Sequence, residues 1–112
     1  QQRKKLLDEA QVEIKKAMAA APKSAQAHIA FGRLLHSRGK LGEAAQAYRT
    51  VVALTPRDAS AHFLLGVALY DNGDEEGGAA AYLKAIAIEG PANFARRIHG
   101  KLGRSLGGAS SS

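Results

Sequence analysis

The chain has 112 residues, a formal net charge of +6 and no cysteine. A chain of this length forms one domain. The lack of cysteine excludes disulfides and thiolate metal sites, and it leaves the redox compartment open. No apolar run approaches the roughly 18–20 residues that a membrane-spanning helix needs.

The positive charge lies mainly at the two ends of the chain. Arg3, Lys4 and Lys5 stand near one end, and Arg96, Arg97, Lys101 and Arg104 near the other. Solvated helix ends and faces account for such clusters. Nucleic-acid binding favours a continuous basic stripe with stacking aromatics, and aromatic residues make up only 5% of this chain. A nucleic-acid partner is therefore not expected.

Helical periodicity divides the chain into six segments. The first, residues 2–21, carries one apolar stripe formed by Leu7, Ala10, Ile14, Ala17 and Met18. Pro22 ends this helix. Ser24, Asp58 and Asp74 are each placed to cap the start of a later helix. The predicted helices are 2–21, 24–38, 40–54, 59–72, 75–89 and 92–106, and residues 107–112 are predicted to be a flexible tail.

The central part of the chain repeats itself with a period of 34 residues. Residues 22–55 set against residues 56–89 give 11 identities in 34 pairs. The paired positions include Pro22 with Pro56, His28 with His62, Gly32 with Gly66, Gly39 with Gly73 and Tyr48 with Tyr82. A fixed period of this length is typical of stacked helical repeats. Gly32 and Gly66 stand mid-helix, where glycine is unfavourable, so we expect a second helix to approach closely there.

The repeat resembles the tetratricopeptide repeat family. The first copy reads His28-x2-Phe31-Gly32-x2-Leu35, then Ala44-x3-Tyr48, then Pro56. The second reads His62-x2-Leu65-Gly66-x2-Leu69, then Gly78-x3-Tyr82, with Pro91 one place late. The resemblance implies an all-α, right-handed α-solenoid of antiparallel helix pairs, with about six helices. It implies a half repeat over 1–22, full repeats over 25–56 and 59–90, and a capping helix over 92–106.

The resemblance also implies a place for a partner. In this family the first helices of successive repeats line a concave groove that receives an extended or helical peptide. The groove positions should be those that packing within a helix pair leaves free, with Ile29 and Phe63 as the large apolar ones. The predicted groove residues are Gln26, Ile29, Arg33, His36, Ser60, Phe63, Val67 and Tyr70. An alternative is that the terminal helix or a further repeat covers them.

Two charged features were considered as peptide contacts. Some family members grip a C-terminal carboxylate with Lys and Asn on the first groove helix. The matching positions here hold Ile29 and Arg33, so that clamp is not expected. Arg97, Lys101 and Arg104 lie together on the last predicted helix and are candidate contacts for an acidic segment.

The polar residues do not form a catalytic pattern. No serine has histidine and aspartate arranged around it as in a nucleophilic triad, and no glycine-rich phosphate loop is present. His28 and His62 occupy equivalent positions without carboxylates or cysteines at ligand spacing. The expectation is a structural role for both histidines, and neither a cofactor nor a metal is predicted.

The sequence thus predicts a non-catalytic protein–protein interaction module. Two alternatives stay open: the helical accessory region of a larger enzyme, and a structural homo-oligomer formed through the stripe on residues 2–21. No secretory signal is evident, but Gln1 is not a natural start, so we expect a piece of a longer protein. The compartment is unknown, with the cytoplasm only a default assignment.

Overall fold

The computed structural model describes residues 2–96, and all regular structure within that range is helical. A sixth helix, α6, covers residues 91–96 of the described chain. The five complete helices and the start of the sixth are confirmed, and each described end lies within one residue of its predicted position. Residues 97–106 of the predicted capping helix and the predicted tail 107–112 lie outside the described residues. The five complete helices are α1 (Gln2–Ala20), α2 (Ala25–Ser37), α3 (Leu41–Leu54), α4 (Ala59–Asp71) and α5 (Glu75–Glu89).

Side-chain caps set the starts of three helices, as the sequence predicts. The Ser24 hydroxyl accepts a hydrogen bond from the Ala27 amide at 3.3 Å. The Asp58 carboxylate accepts one from Ser60, and the Asp74 carboxylate one from Gly77, each at 2.9 Å. Each bond satisfies a first-turn amide that has no partner within the helix. The turns that follow α2 and α4 each contain a glycine with positive φ, Gly39 at 79° and Gly73 at 90°.

Each helix packs on its neighbours in the sequence: α1 on α2, α2 on α3, α3 on α4, and α4 on α5. This order is that of a solenoid, in which a repeat rests on the next one. Small side chains dominate the core because they allow the helices to approach closely. The core cluster consists of Leu35, Ala44, Ala45, Ala47, Tyr48, Val51, Ala61, Leu65, Ala68, Leu69 and Ala81.

The mid-helix glycines mark the closest approach within each pair. A Cβ atom on Gly32 would lie 2.6 Å from Cε1 of Tyr48, so the aromatic ring of α3 lies against the backbone of α2. In the second pair, a Cβ on Gly66 would lie 3.1 Å from the carbonyl oxygen of Gly78. The predicted reason for the repeated glycine is confirmed, and in the first pair the close neighbour is the Tyr48 ring.

The first helix, α1, is tied to the rest of the protein by polar contacts and buries none of its residues. The Arg38 guanidinium donates to Asp8 at 2.7 Å and to Gln11 at 3.0 Å, which ties α1 to the turn after α2. No residue of α1 is buried. Ala17 is exposed, whereas Val51, its equivalent one period later, is fully buried. One face of α1 therefore lacks the covering helix that α3 has.

We predict that Gly32→Ala lowers the free energy of unfolding by about 1–3 kcal/mol, since the added methyl overpacks a buried contact. The Tyr48 ring cannot simply move away, because Tyr48 is only 3% exposed. Urea denaturation followed by circular dichroism measures the change.

Gly42→Ala is the matched control. A Cβ there would meet only the Asn72 amide nitrogen, at 3.8 Å. Alanine should raise the free energy of unfolding by up to about 0.5–1 kcal/mol, because it is the better helix former. Equal effects of the two substitutions would contradict the close contact at Gly32.

Candidate functional site

A cleft opens between α2 and α4, the first helices of the two full repeats. Packing joins both helices to α3, which lies between them in the sequence. The cleft contains a cavity of about 170 Å³, lined by Arg33, His36, Tyr48, Leu64, Val67 and Ala68. We call the surface between α2 and α4 the groove, and this cavity the groove pocket.

Three of the eight predicted groove residues meet in the groove pocket. They are Arg33 and His36 from α2 and Val67 from α4. Gln26 and Ser60 are exposed near the starts of the two helices. Tyr70 is half exposed at the end of α4. A partner-binding role for the whole set stays a prediction.

The expectation that helix packing leaves Ile29 and Phe63 free is wrong. Both are half-buried. Ile29 packs against the core cluster. The Phe63 ring lies 5.5 Å from the ring of Tyr82 and 6.0 Å from that of Phe94 in α6. Phe63 therefore packs where one repeat meets the next helix, which the sequence analysis had left open as the alternative.

A side-chain hydrogen bond bridges the two groove helices near their ends. His36 Nε2 lies 2.8 Å from Oδ2 of Asp71, a separation suited to a hydrogen bond in which the imidazole donates. The bond joins α2 to α4 directly across the groove. It limits how far the two helices can part, and it occupies the Asp71 carboxylate.

The groove pocket holds a buried hydroxyl beside an exposed cation. Tyr48 is 3% exposed, and its hydroxyl makes no hydrogen bond within residues 2–96. Burial raises the pKa of the Tyr48 phenol above its ordinary value of 10.0, and the nearby Arg33 guanidinium partly opposes that rise. Arg33 is exposed and forms no ion pair in the same part of the chain. The pocket thus offers two donors that the described protein does not use.

Sequence reasoning missed half of the pocket. Tyr48 belongs to α3 and reaches the pocket only because Gly32 leaves room for its ring. Val67 and Ala68 stand three and four residues after Leu64, the spacings at which side chains are neighbours on a helix surface. That spacing was a usable signal for the two missed residues of α4, whereas the His36–Asp71 bridge joins residues 35 apart and leaves no local sequence trace.

The two equivalent histidines serve the fold. His28 Nε2 lies 2.9 Å from the carbonyl oxygen of Pro22, and His62 Nε2 lies 2.9 Å from that of Pro56. Because a carbonyl only accepts, each ring carries its proton on Nε2. Each bond ties a first helix to the turn before it. The signal in the sequence was the six-residue separation of proline and histidine, which is the same in both repeats.

No group of three His, Asp or Glu side chains suited to a metal ion occurs in residues 2–96. Over the same range, no helix has the length and apolarity to cross a bilayer. The predicted acidic-segment contacts Arg97, Lys101 and Arg104 lie outside the described residues.

Comparison with known proteins agrees with this geometry. The family model described as "TPR repeat" matches residues 32–73, and the one described as "Tetratricopeptide repeat" matches residues 59–90. The solved structure titled "MamA MSR-1 C2" matches with a TM-score of 0.71 and 19% identity, covering 80% of this chain. This chain spans about half of that structure, with 52% of it covered. No curated protein matches.

The fold is an all-α solenoid of helical repeats, and the chain belongs to the tetratricopeptide repeat family. Repeats of this family generally mediate protein–protein interaction. Proteins built from them are typically non-catalytic.

We predict that the free energy of unfolding falls less at alkaline pH in Tyr48→Phe than in the parent chain. The folded state holds the Tyr48 pKa above the 10.0 of the exposed phenol. The stabilisation is therefore complete below pH 10.0 and is lost as pH rises through the folded pKa. Urea midpoints at about pH 8 and about pH 11 should fall less for Tyr48→Phe than for the parent chain. An identical fall in both would contradict the burial of this hydroxyl.

Proposed function

We propose that this chain is a non-catalytic interaction module that holds an extended or helical segment of a partner protein in the groove. The observation that supports the proposal most strongly is the cleft itself. Two repeat-related helices each pack on α3, and the space between them is left as a pocket. A partner segment laid there would contact both repeats at once.

The chemistry of the groove suits a peptide better than a small molecule. Its cavity of about 170 Å³ is smaller than the roughly 300–1,000 Å³ of small-molecule sites, so it accommodates one side chain of a longer segment. Leu64, Val67 and Ala68 supply apolar contact. Tyr70, near the end of the same helix, is 50% exposed. Short pockets along a helical groove are the usual basis of peptide recognition.

The bare face of α1 supports a second candidate function, which is association between copies of the chain. Ala17 is exposed there, although its equivalent Val51 is fully buried. Light scattering tests this candidate. A monomer at high protein concentration would contradict it.

We expect Val67→Glu to abolish or greatly weaken binding of peptides selected on the immobilised chain. The new carboxylate would stand among apolar pocket atoms, where an unpaired charge is unfavourable. The dissociation constant should rise by about ten-fold or more. Fluorescence polarisation with a labelled selected peptide measures it.

Leu83→Glu is the matched control, because it makes the same kind of change at a residue that is 66% exposed on α5. Leu83 does not line the groove pocket. Binding by this variant should equal that of the parent chain. If selected peptides tolerate Val67→Glu, or are lost equally with Leu83→Glu, the groove is not the binding surface.

A further inference from the structure

The most unusual polar group in the described chain is the Tyr48 hydroxyl. It belongs to a side chain that is 97% buried, since only 3% of it is exposed, and it has no hydrogen-bond partner within residues 2–96. Buried polar groups in folded proteins are almost always hydrogen-bonded, because water has been lost without replacement. Because Tyr48 lines the groove pocket, we infer that this hydroxyl is a donor available to an acceptor on a ligand.

The surroundings specify which acceptor would be favoured. Arg33 lines the same pocket, and its positive charge acts on the Tyr48 phenol. Arg33 forms no ion pair in the described part of the chain. Asp71, the acidic residue at the groove, is already bound to His36 at 2.8 Å. A cation and a hydroxyl donor that share one pocket favour a carboxylate over a neutral group.

The rest of the pocket is mainly aliphatic. Leu64, Val67 and Ala68 line it together with His36, whose Nε2 is already bonded to Asp71. The group that accompanies the carboxylate therefore meets mainly apolar atoms.

Along α2, Arg33 stands four residues after Ile29 and three residues before His36, so it lies between them on one face of that helix. A segment running along the groove would pass both, and the residue facing Arg33 would stand in its interior.

We propose that the groove pocket recognises an internal Asp or Glu side chain flanked by an aliphatic residue in an extended partner segment. The carboxylate accepts hydrogen bonds from the Tyr48 hydroxyl and the Arg33 guanidinium, while the aliphatic neighbour packs on Leu64 and Val67. This inference rests on the proposed function and adds the chemistry of the partner. It differs from capture of a chain terminus, because the acid is a side chain.

The test starts from a random twelve-residue peptide library displayed with its C-terminus fused to the carrier and selected on the immobilised chain. The leading peptide is then synthesised with an acetylated N-terminus and an amidated C-terminus. Variants of it carry Gln in place of each Glu, or Asn in place of each Asp. We expect one Glu→Gln or Asp→Asn change to weaken binding by about ten-fold or more. Arg33→Gln and Tyr48→Phe should remove that preference, so that acid and amide peptides bind within about two-fold of each other.

Tyr82→Phe is the matched control. Tyr82 occupies the position equivalent to Tyr48 in the second repeat, and it does not line the groove pocket. The acid preference should survive in Tyr82→Phe. Thermal unfolding of all three variants shows whether each is folded, and Tyr48→Phe removes one oxygen without changing the ring.

The outcomes separate this inference from the proposed function. Peptides that are sensitive to Val67→Glu but indifferent to acid-to-amide exchange would overturn the carboxylate assignment and leave groove binding in place. Neither the library nor the capped peptides present a free C-terminal carboxylate, so an acid preference measured with them belongs to a side chain. Failure to select any peptide sensitive to Val67→Glu would contradict both.

Discussion

The contact between Gly32 and the Tyr48 ring is the constraint on which the rest of this structure depends. A missing side chain on α2 lets an aromatic ring of α3 lie against the helix backbone. The ring packs between α2 and α3, and Tyr48 thereby lines the groove pocket between α2 and α4. One glycine thereby serves both the close packing of two helices and the placement of a polar group.

The groove follows from the order of packing. Each helix rests on its neighbours in the sequence, so α2 and α4 are held by α3 and need not fill the space between them. The His36–Asp71 bond limits how far they part. The imidazole–carbonyl bonds of His28 and His62 fix each groove helix to the turn before it. These bonds involve His28, His36 and His62, and they leave the Tyr48 hydroxyl and the Arg33 guanidinium of the pocket available.

The sequence predicted the architecture well and the site only in part. Helical periodicity, side-chain caps and turn glycines each involve residues that are close together in the sequence. The bounds and the order of α1 to α5 could therefore be predicted from residue spacing alone. Ile29 and Phe63 were misjudged because their burial depends on contacts between repeats, such as that of Phe63 with Phe94. The sequence identified Tyr48 as part of the repeat. Its access to the groove depends on where its ring lies relative to α2, which the sequence alone does not give.

The central claim is that a partner segment lies between α2 and α4 with a side-chain carboxylate at Tyr48 and Arg33. A crystal structure of the chain with a selected, capped peptide tests it most directly. The account predicts a carboxylate oxygen within hydrogen-bonding distance, about 2.5–3.2 Å, of both the Tyr48 hydroxyl and the Arg33 guanidinium. A peptide bound instead on the bare face of α1, or in the groove with no acceptor at Tyr48, would contradict it.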